Sequence, residues 1–223
     1  MQILTKYKSG SLGNAPAADA LLSPKDAVEV RRDFITESPV TAHTYVLTNA
    51  TVTRSATLES GVWTTTNATA AACGVCSAVP VTKAVGGRNI MYETYVAVTD
   101  VTTASQAFFV GLSSSGTVAP ITSAGVPDAT RSCIGFAFVA GAINGVFGTA
   151  ATGTVALATG NTAAAYRRLG FVVKGTTQID WYVDGQFITS SVTVPTTAMF
   201  ESYSTAGTAN GVAIDWTYLA YSR

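Results

Sequence analysis

The chain is short of charge. Of its 223 residues 12% are charged, against a usual share of about 25%. Thirteen lysines and arginines balance thirteen aspartates and glutamates, so the formal net charge is zero. No basic run interleaves with aromatics, which argues against a nucleic-acid partner. There is one histidine, His43. Serine–histidine or cysteine–histidine catalysis would have to use it, and no nucleophile elbow accompanies it. No run of eighteen apolar residues is present, so no membrane span is expected. The opening "MQILTKYKSGSLG" lacks the apolar core and cleavage site of a signal peptide, so synthesis in the cytoplasm without a secretory signal is expected.

Cysteine is scarce as well: Cys73, Cys76 and Cys133. "CGVC" has the Cys-x-x-Cys spacing of redox and zinc sites. Its flanks do not form the βαβ unit of a thioredoxin-like motif. A zinc site needs four ligands, and only Cys133 and His43 remain to complete one. The expectation is small buried thiols and no cofactor or metal. Asn49 and Asn67 each begin "NAT", which fits the glycosylation pattern, but these residues are abundant and no secretion signal is present.

What is plentiful is small and β-branched. Hydrophobic residues make up 48% of the chain, enough for a sizeable core. Alanine and threonine lead, with valine, glycine and serine behind, a composition suited to strands and tight turns. Ten of the 26 charged residues fall within the first 37 positions. That shift divides the chain into an arm, residues 1–33, and a domain, residues 34–223. In the arm, "SPKDAVEV" predicts a short helix, with Ser23 as cap, Pro24 at its first position and Asp26 in its first turn.

Beyond the arm, short strands are separated by turn signals, which reads as an all-β sandwich or barrel. In "NIMYETYVAVTDV", Ile90, Tyr92, Thr94, Val96 and Val98 share one face, and Met91, Glu93, Tyr95 and Ala97 the other. In the closing "GVAIDWTYLAYSR", alternation puts Val212, Ile214, Trp216, Tyr218 and Ala220 on one face. Asp184-Gly185 lies between two alternating runs, the signature of a two-residue hairpin. The expected pairs are Val183 with Gln186, Tyr182 with Phe187 and Trp181 with Ile188.

"YRRLGFVVKGTTQIDWYVDGQFITSS", "MYETYVAVTDVTTASQAFFVGLSSSG" and "VAIDWTYLAYSR" resemble strands of the concanavalin A-like jelly rolls, the fold of legume lectins, laminin G-like modules and many glycanases. The resemblance covers about residues 45 to 223. It implies an antiparallel jelly-roll β-sandwich preceded by an extended arm. The Ala/Thr/Gly-rich style is similar to that of phage virion proteins that decorate capsids.

The glycanases of that fold carry Glu-x-Asp-x-x-Glu or a near variant on one strand. Here Glu93 stands alone in its strand, and Asp180 and Asp215 are isolated on others, so no enzyme is expected. Lectins of the fold cluster Asp and Asn around calcium, and no such cluster is present. The function expected is the first of two readings, a capsid decoration protein, and the second is its alternative. In one the chain is a virion structural protein that docks on the major capsid protein of a phage head as a homo-oligomer, preferably a trimer. Its docking residues would then be Met1, Ile3, Leu4, Leu21 and Leu22. In the other it is a lectin-like adsorption module for surface glycans, with Trp63 and Tyr203 as stacking rings.

Overall fold

A computed structural model describes residues 27–33, 45–48, 50–54, 63–67, 73–77, 80–98, 107–116, 119–148, 153–163, 165–206 and 212–222. Among these residues sixteen strands form. They begin with β1 (Ala27–Asp33), β2 (Tyr45–Thr48), β3 (Ala50–Arg54), β4 (Trp63–Asn67) and β5 (Cys73–Ser77). The middle of the chain gives β6 (Thr82–Lys83), β7 (Asn89–Val98), β8 (Ala107–Ser113), β9 (Cys133–Val139), β10 (Ala142–Gly148) and β11 (Thr154–Ala158). The last are β12 (Arg167–Lys174), β13 (Gln178–Val183), β14 (Gln186–Ser191), β15 (Ala198–Ala206) and β16 (Val212–Ser222).

The strands form two antiparallel sheets. The front sheet runs β14-β13-β12-β7-β16-β4-β3, with β1 also paired to β16. The back sheet runs β11-β10-β9-β8-β15-β5-β2, with β6 also paired to β15. This is the antiparallel jelly-roll β-sandwich expected from the sequence.

Alternation explains the core. Ile90, Tyr92, Val96 and Val98 of β7 face inward with Leu169, Phe171 and Val173 of β12. From the back sheet they meet Phe108, Val110 and Leu112 of β8 and Ile134, Phe136 and Phe138 of β9. Trp181 lies at the centre, fully buried. Its ring meets Phe171 at 5.7 Å from its own sheet and Phe136 at 5.5 Å and Phe147 at 6.2 Å from the other. The edge-on contacts with Phe136 and Phe171 add about 0.5–1.5 kcal/mol each beyond area burial. The back sheet's outer surface carries its own apolar cluster, where Phe109 and Ala137 pack with Ala119 and Ile121 from the segment between β8 and β9.

Three local expectations need correction. Of the segment "SPKDAVEV", predicted as a short helix, the described residues 27–30 are strand instead. Residues 27–33 are β1, paired antiparallel to β16 from Ala27↔Ser222 to Asp33↔Trp216. On that edge of β16, β4 pairs with Ala213 and Ile214, and β1 pairs with Trp216 to Ser222. A free stretch of strand edge outweighs weak local capping signals, and the arm's last seven residues belong to the front sheet. In β16 the alternation breaks at Asp215, where the register with β7 shifts. Ile214 therefore joins the main core, while Trp216, Tyr218 and Ala220 pack on the outer face.

The third correction is in the hairpin. Asp184 and Gly185 have φ of 51° and 79°, as the two-residue turn requires. Val183 pairs Gln186 and Tyr182 pairs Phe187, but Trp181 pairs Thr189. Ile188 is bulged out. The extra residue sets Ser191 inside, where its Oγ accepts the Trp181 indole N–H at 2.9 Å, and Ser190 outside, where its Oγ donates to Asp180 at 2.6 Å. Asp184 does more than turn the chain. Its carboxylate accepts the Arg168 backbone N–H at 3.1 Å and pairs with Arg167 Nη2 at 2.8 Å, tying the turn to β12.

The "CGVC" segment is strand β5, not the helix start that a redox pair uses. Cys76 and Cys133 are buried free thiols, and burial pushes both above the ordinary thiol pKa.

β8 and β9 approach closely where Gly111 pairs Gly135. A Cβ on Gly135 would lie 2.5 Å from the Val110 carbonyl oxygen and 2.7 Å from the Phe109 ring. Overpacking of this kind costs about 1–3 kcal/mol. Gly135→Ala is expected to lower the midpoint of thermal unfolding by roughly 2–4 °C per kcal/mol lost. Gly86→Ala, where a Cβ meets nothing within 4 Å, should leave it unchanged; scanning calorimetry on both compares them.

Candidate functional site

The outer face of the front sheet holds the chemistry. Rows of side chains cross it at right angles to the strands, because paired residues share a face. One row runs Tyr218, Glu93, Gly170, Tyr182, Phe187 across β16, β7, β12, β13 and β14. Its neighbour runs Trp216, Tyr95, Arg168. On the far side lie Ala220, Met91, Val172, Asp180 and Ser190.

Glu93 is fully buried. Arg168, diagonal to it across β12, donates its Nε–H to Glu93 Oε1. Gly170 puts no side chain between the two, which leaves room for the guanidinium. The Arg168 side chain is 25% exposed, so it is the member of the pair that reaches solvent. Glu93 Oε2 and Arg168 Nη2 are both buried, and neither has a protein hydrogen-bond partner. The two members of one ion pair thus each keep a buried polar atom unsatisfied, a costly arrangement unless something else binds them.

Burial raises the Glu93 carboxyl from 4.5 to about 7, against the opposing charge and hydrogen bond of Arg168. Beside the pair stands an aromatic group. Tyr95 stacks on Tyr166 at 5.0 Å and on Trp216 at 6.3 Å, with interplanar angles of 30° and 19°. All three rings are half-buried. The Asp215 bulge is what turns Trp216 onto this face. At the far end of the Glu93 row, Phe187 is 56% exposed and meets Tyr182 edge-on at 5.8 Å.

The second acidic group of this face is already engaged. Asp180 pairs with Lys174 Nζ at 2.5 Å and accepts from Gln178 Nε2 at 2.5 Å and Ser190 Oγ at 2.6 Å. Burial pushes its carboxyl up, but these partners hold it below the ordinary value. Among the described residues no three His, Cys, Asp or Glu side chains cluster as metal ligands would.

Of the stacking and docking residues named from the sequence, Tyr203 lies away from this face. Tyr203 is fully buried between the sheets, its hydroxyl donating to Glu201, which also accepts from Thr217 Oγ1 at 2.9 Å. Its strand alternation with Val110 as cross-strand partner points it inward, so it is not a stacking ring. Trp63 is placed by its backbone alone, in β4 opposite Ile214. Met1, Ile3, Leu4, Leu21 and Leu22 lie outside the described residues. Sequence reasoning noted Glu93 only as a solitary carboxylate, and it did not single out Arg168, Tyr95, Tyr166 or Trp216. The available signal was the alternate face of β7, where a glutamate and a tyrosine interrupt an apolar strand.

No family model and no curated protein matches the chain. Solved structures do. A protein of unknown function from Shewanella oneidensis MR-1 matches with a TM-score of 0.66 at 13% identity, covering 97% of both chains. Bacillus licheniformis β-glucanase matches with a TM-score of 0.58 at 12% identity, over 89% of this chain and 98% of that one. The carbohydrate esterase of the Shiga toxin-encoding bacteriophage phi24B matches with a TM-score of 0.57 at 16% identity, over 87% and 98%. The fold is the concanavalin A-like jelly roll. At these identities the likeness is one of fold.

Glu93 makes stability depend on pH with a definite sign. Its folded pKa is raised, so the folded chain holds a proton that the unfolded chain has released between pH 4.5 and about 7. Stability is therefore full below 4.5 and falls as pH rises through 7, by an amount of the order of 3 kcal/mol. Glu93→Gln is expected to remove that decline. Urea unfolding at pH 4.5, 6 and 8 should give a smaller fall in free energy for the variant than for the parent chain.

Proposed function

We propose that the chain is a non-catalytic carbohydrate-binding module whose saccharide lies on the outer face of the front sheet over Arg168, Glu93, Tyr95 and Trp216. The observation that carries this reading is the pair of unsatisfied atoms, Glu93 Oε2 and Arg168 Nη2, beside half-buried aromatic rings. A vicinal diol complements both: one hydroxyl donates to the carboxylate oxygen while its neighbour accepts from the guanidinium. The apolar face of a pyranose packs against aromatic rings, and a few placed polar groups fix its orientation. The ligand meets Arg168 first and reaches Glu93 as the guanidinium turns aside.

A binding role rather than hydrolysis is supported by the neighbours of Glu93. Retaining and inverting hydrolysis each need a second carboxylate, at about 5 Å or about 6.5–9.5 Å. The cross-strand and diagonal neighbours of Glu93 on this face are Gly170, Tyr218, Arg168, Val172, Trp216 and Ala220, none of them acidic. Asp180 lies two strands away, about 10 Å by strand spacing alone, and it is bound to Lys174. Capsid decoration rests on resemblance and on docking residues outside the described ones, and no observation at this site favours it.

A glycan array probed with the full chain, followed by calorimetric titration of the best neutral oligosaccharide, tests the reading. The parent chain is expected to bind without releasing new reducing ends. Arg168→Gln and Trp216→Ala should each weaken binding at least about tenfold, the loss of roughly 1.4 kcal/mol. Absence of any glycan ligand, or full affinity in both variants, contradicts the proposal.

A further inference from the structure

β14 ends the front sheet, with β13 as its one strand partner among the described residues. Its outer edge therefore presents a row of backbone N–H and C=O groups. Among the described residues the exposed large hydrophobics are Val85 at 39%, Phe187 at 56%, Ile188 at 40% and Val192 at 79%. Three of these four sit on β14 or one residue beyond it. Residues 185–200 contain no lysine, arginine, aspartate or glutamate, and their first proline is Pro195. Edge strands of proteins that stay monomeric are usually blunted by charge, by proline or by short length. β14 has neither charge nor proline, and its single bulge pushes Ile188 toward solvent rather than hiding it.

We infer that β14 is a self-association edge, pairing antiparallel with β14 of a second copy of this chain. The occupant follows from charge. A charged partner strand would set unpaired charges beside Ile188 and Val192, whereas the uncharged β14 is complementary to itself. Two copies of a chain with zero formal net charge do not repel each other. A two-fold axis sets residue i against j and j against i, so the contact closes at two copies. That outcome is a dimer, not the trimer suggested by threefold shell positions. Two six-residue strands and a few apolar side chains make a small interface, so the dimer forms at roughly 10–100 µM.

The geometry has a consequence for the proposed glycan site, and this part rests on that reading. Antiparallel continuation of a sheet needs the two-fold axis perpendicular to it, so both outer faces look the same way. β7 and β14 are three strand spacings apart. Seven spacings across the joined sheet then separate the two Glu93 side chains, about 34 Å at about 4.8 Å per strand. Such a dimer presents two sites to one surface and gains avidity on a glycan-coated one.

Sedimentation equilibrium of the full chain from 1 to 100 µM tests the dimer, beside Ile188→Lys and Val192→Lys. Both substitutions are at exposed positions, and circular dichroism melts check that the fold is kept. The parent is expected to move from one chain mass to two, and the folded variants to stay at one. The inference is overturned by a parent that remains at one mass throughout, by folded variants that both dimerise as the parent does, or by a mass that settles at three copies or more. On an immobilised glycan the variants should lose about tenfold in apparent affinity while keeping the parent's affinity per chain for the soluble sugar. If no glycan binds at all, the mass measurement still decides the dimer on its own.

Discussion

The contact of Trp181 with Phe136, Phe147 and Phe171 holds the two sheets in register, and the front face depends on it. A rigid ring buried between sheets leaves little freedom to slide one sheet over the other. Its indole N–H also needs an acceptor, because an unsatisfied buried donor costs about 1–3 kcal/mol. Ser191 supplies it, and can do so only because Ile188 is bulged out of β14. One hydrogen bond in the core thus accounts for an irregularity at the sheet edge. That irregularity in turn leaves Ser190 facing Asp180 and Ile188 facing solvent.

The opposite face of the same strands carries the polar chemistry. β7 is buried on both sides, with Tyr92 in the core and Glu93 beneath Arg168. A strand paired on both edges and covered on both faces cannot move easily, so the carboxylate is held in a fixed position at a cost in solvation. Burial favours the protonated form and Arg168 the ionised form; burial prevails, and the carboxyl titrates near neutrality. The second bulge, at Asp215, completes the arrangement by turning Trp216 outward beside Tyr95. Among the described residues the two register shifts of the front sheet lie one beside the proposed sugar site and one at the proposed dimer edge.

Much of the fold was legible because period-two alternation is a local property. The two faces of β7, the fully apolar β8 and the Asp184-Gly185 turn follow from neighbouring residues alone. What alternation cannot reveal depends on distant partners. The bulge at Ile188 answers a tryptophan on the next strand, and β1 forms because β4 leaves most of the β16 edge open. Tyr203 was named as a stacking ring, yet its position opposite Val110 puts it inside. The site itself was the least legible part. Glu93 and Arg168 lie 75 residues apart in sequence, and only sheet order makes them neighbours.

The central claim is that sugar binds over Arg168 and Trp216 on the front face. Nuclear magnetic resonance of the tryptophan indole N–H groups tests it most directly, because the chain has three tryptophans in three settings. Trp181 is buried and bonded to Ser191, Trp216 stands half-buried beside the site, and Trp63 lies on β4. Titration with a neutral oligosaccharide that binds the chain should shift the Trp216 indole signal in proportion to occupancy and leave that of Trp181 in place. Saturable binding that leaves Trp216 unmoved and shifts Trp63 instead would contradict the account.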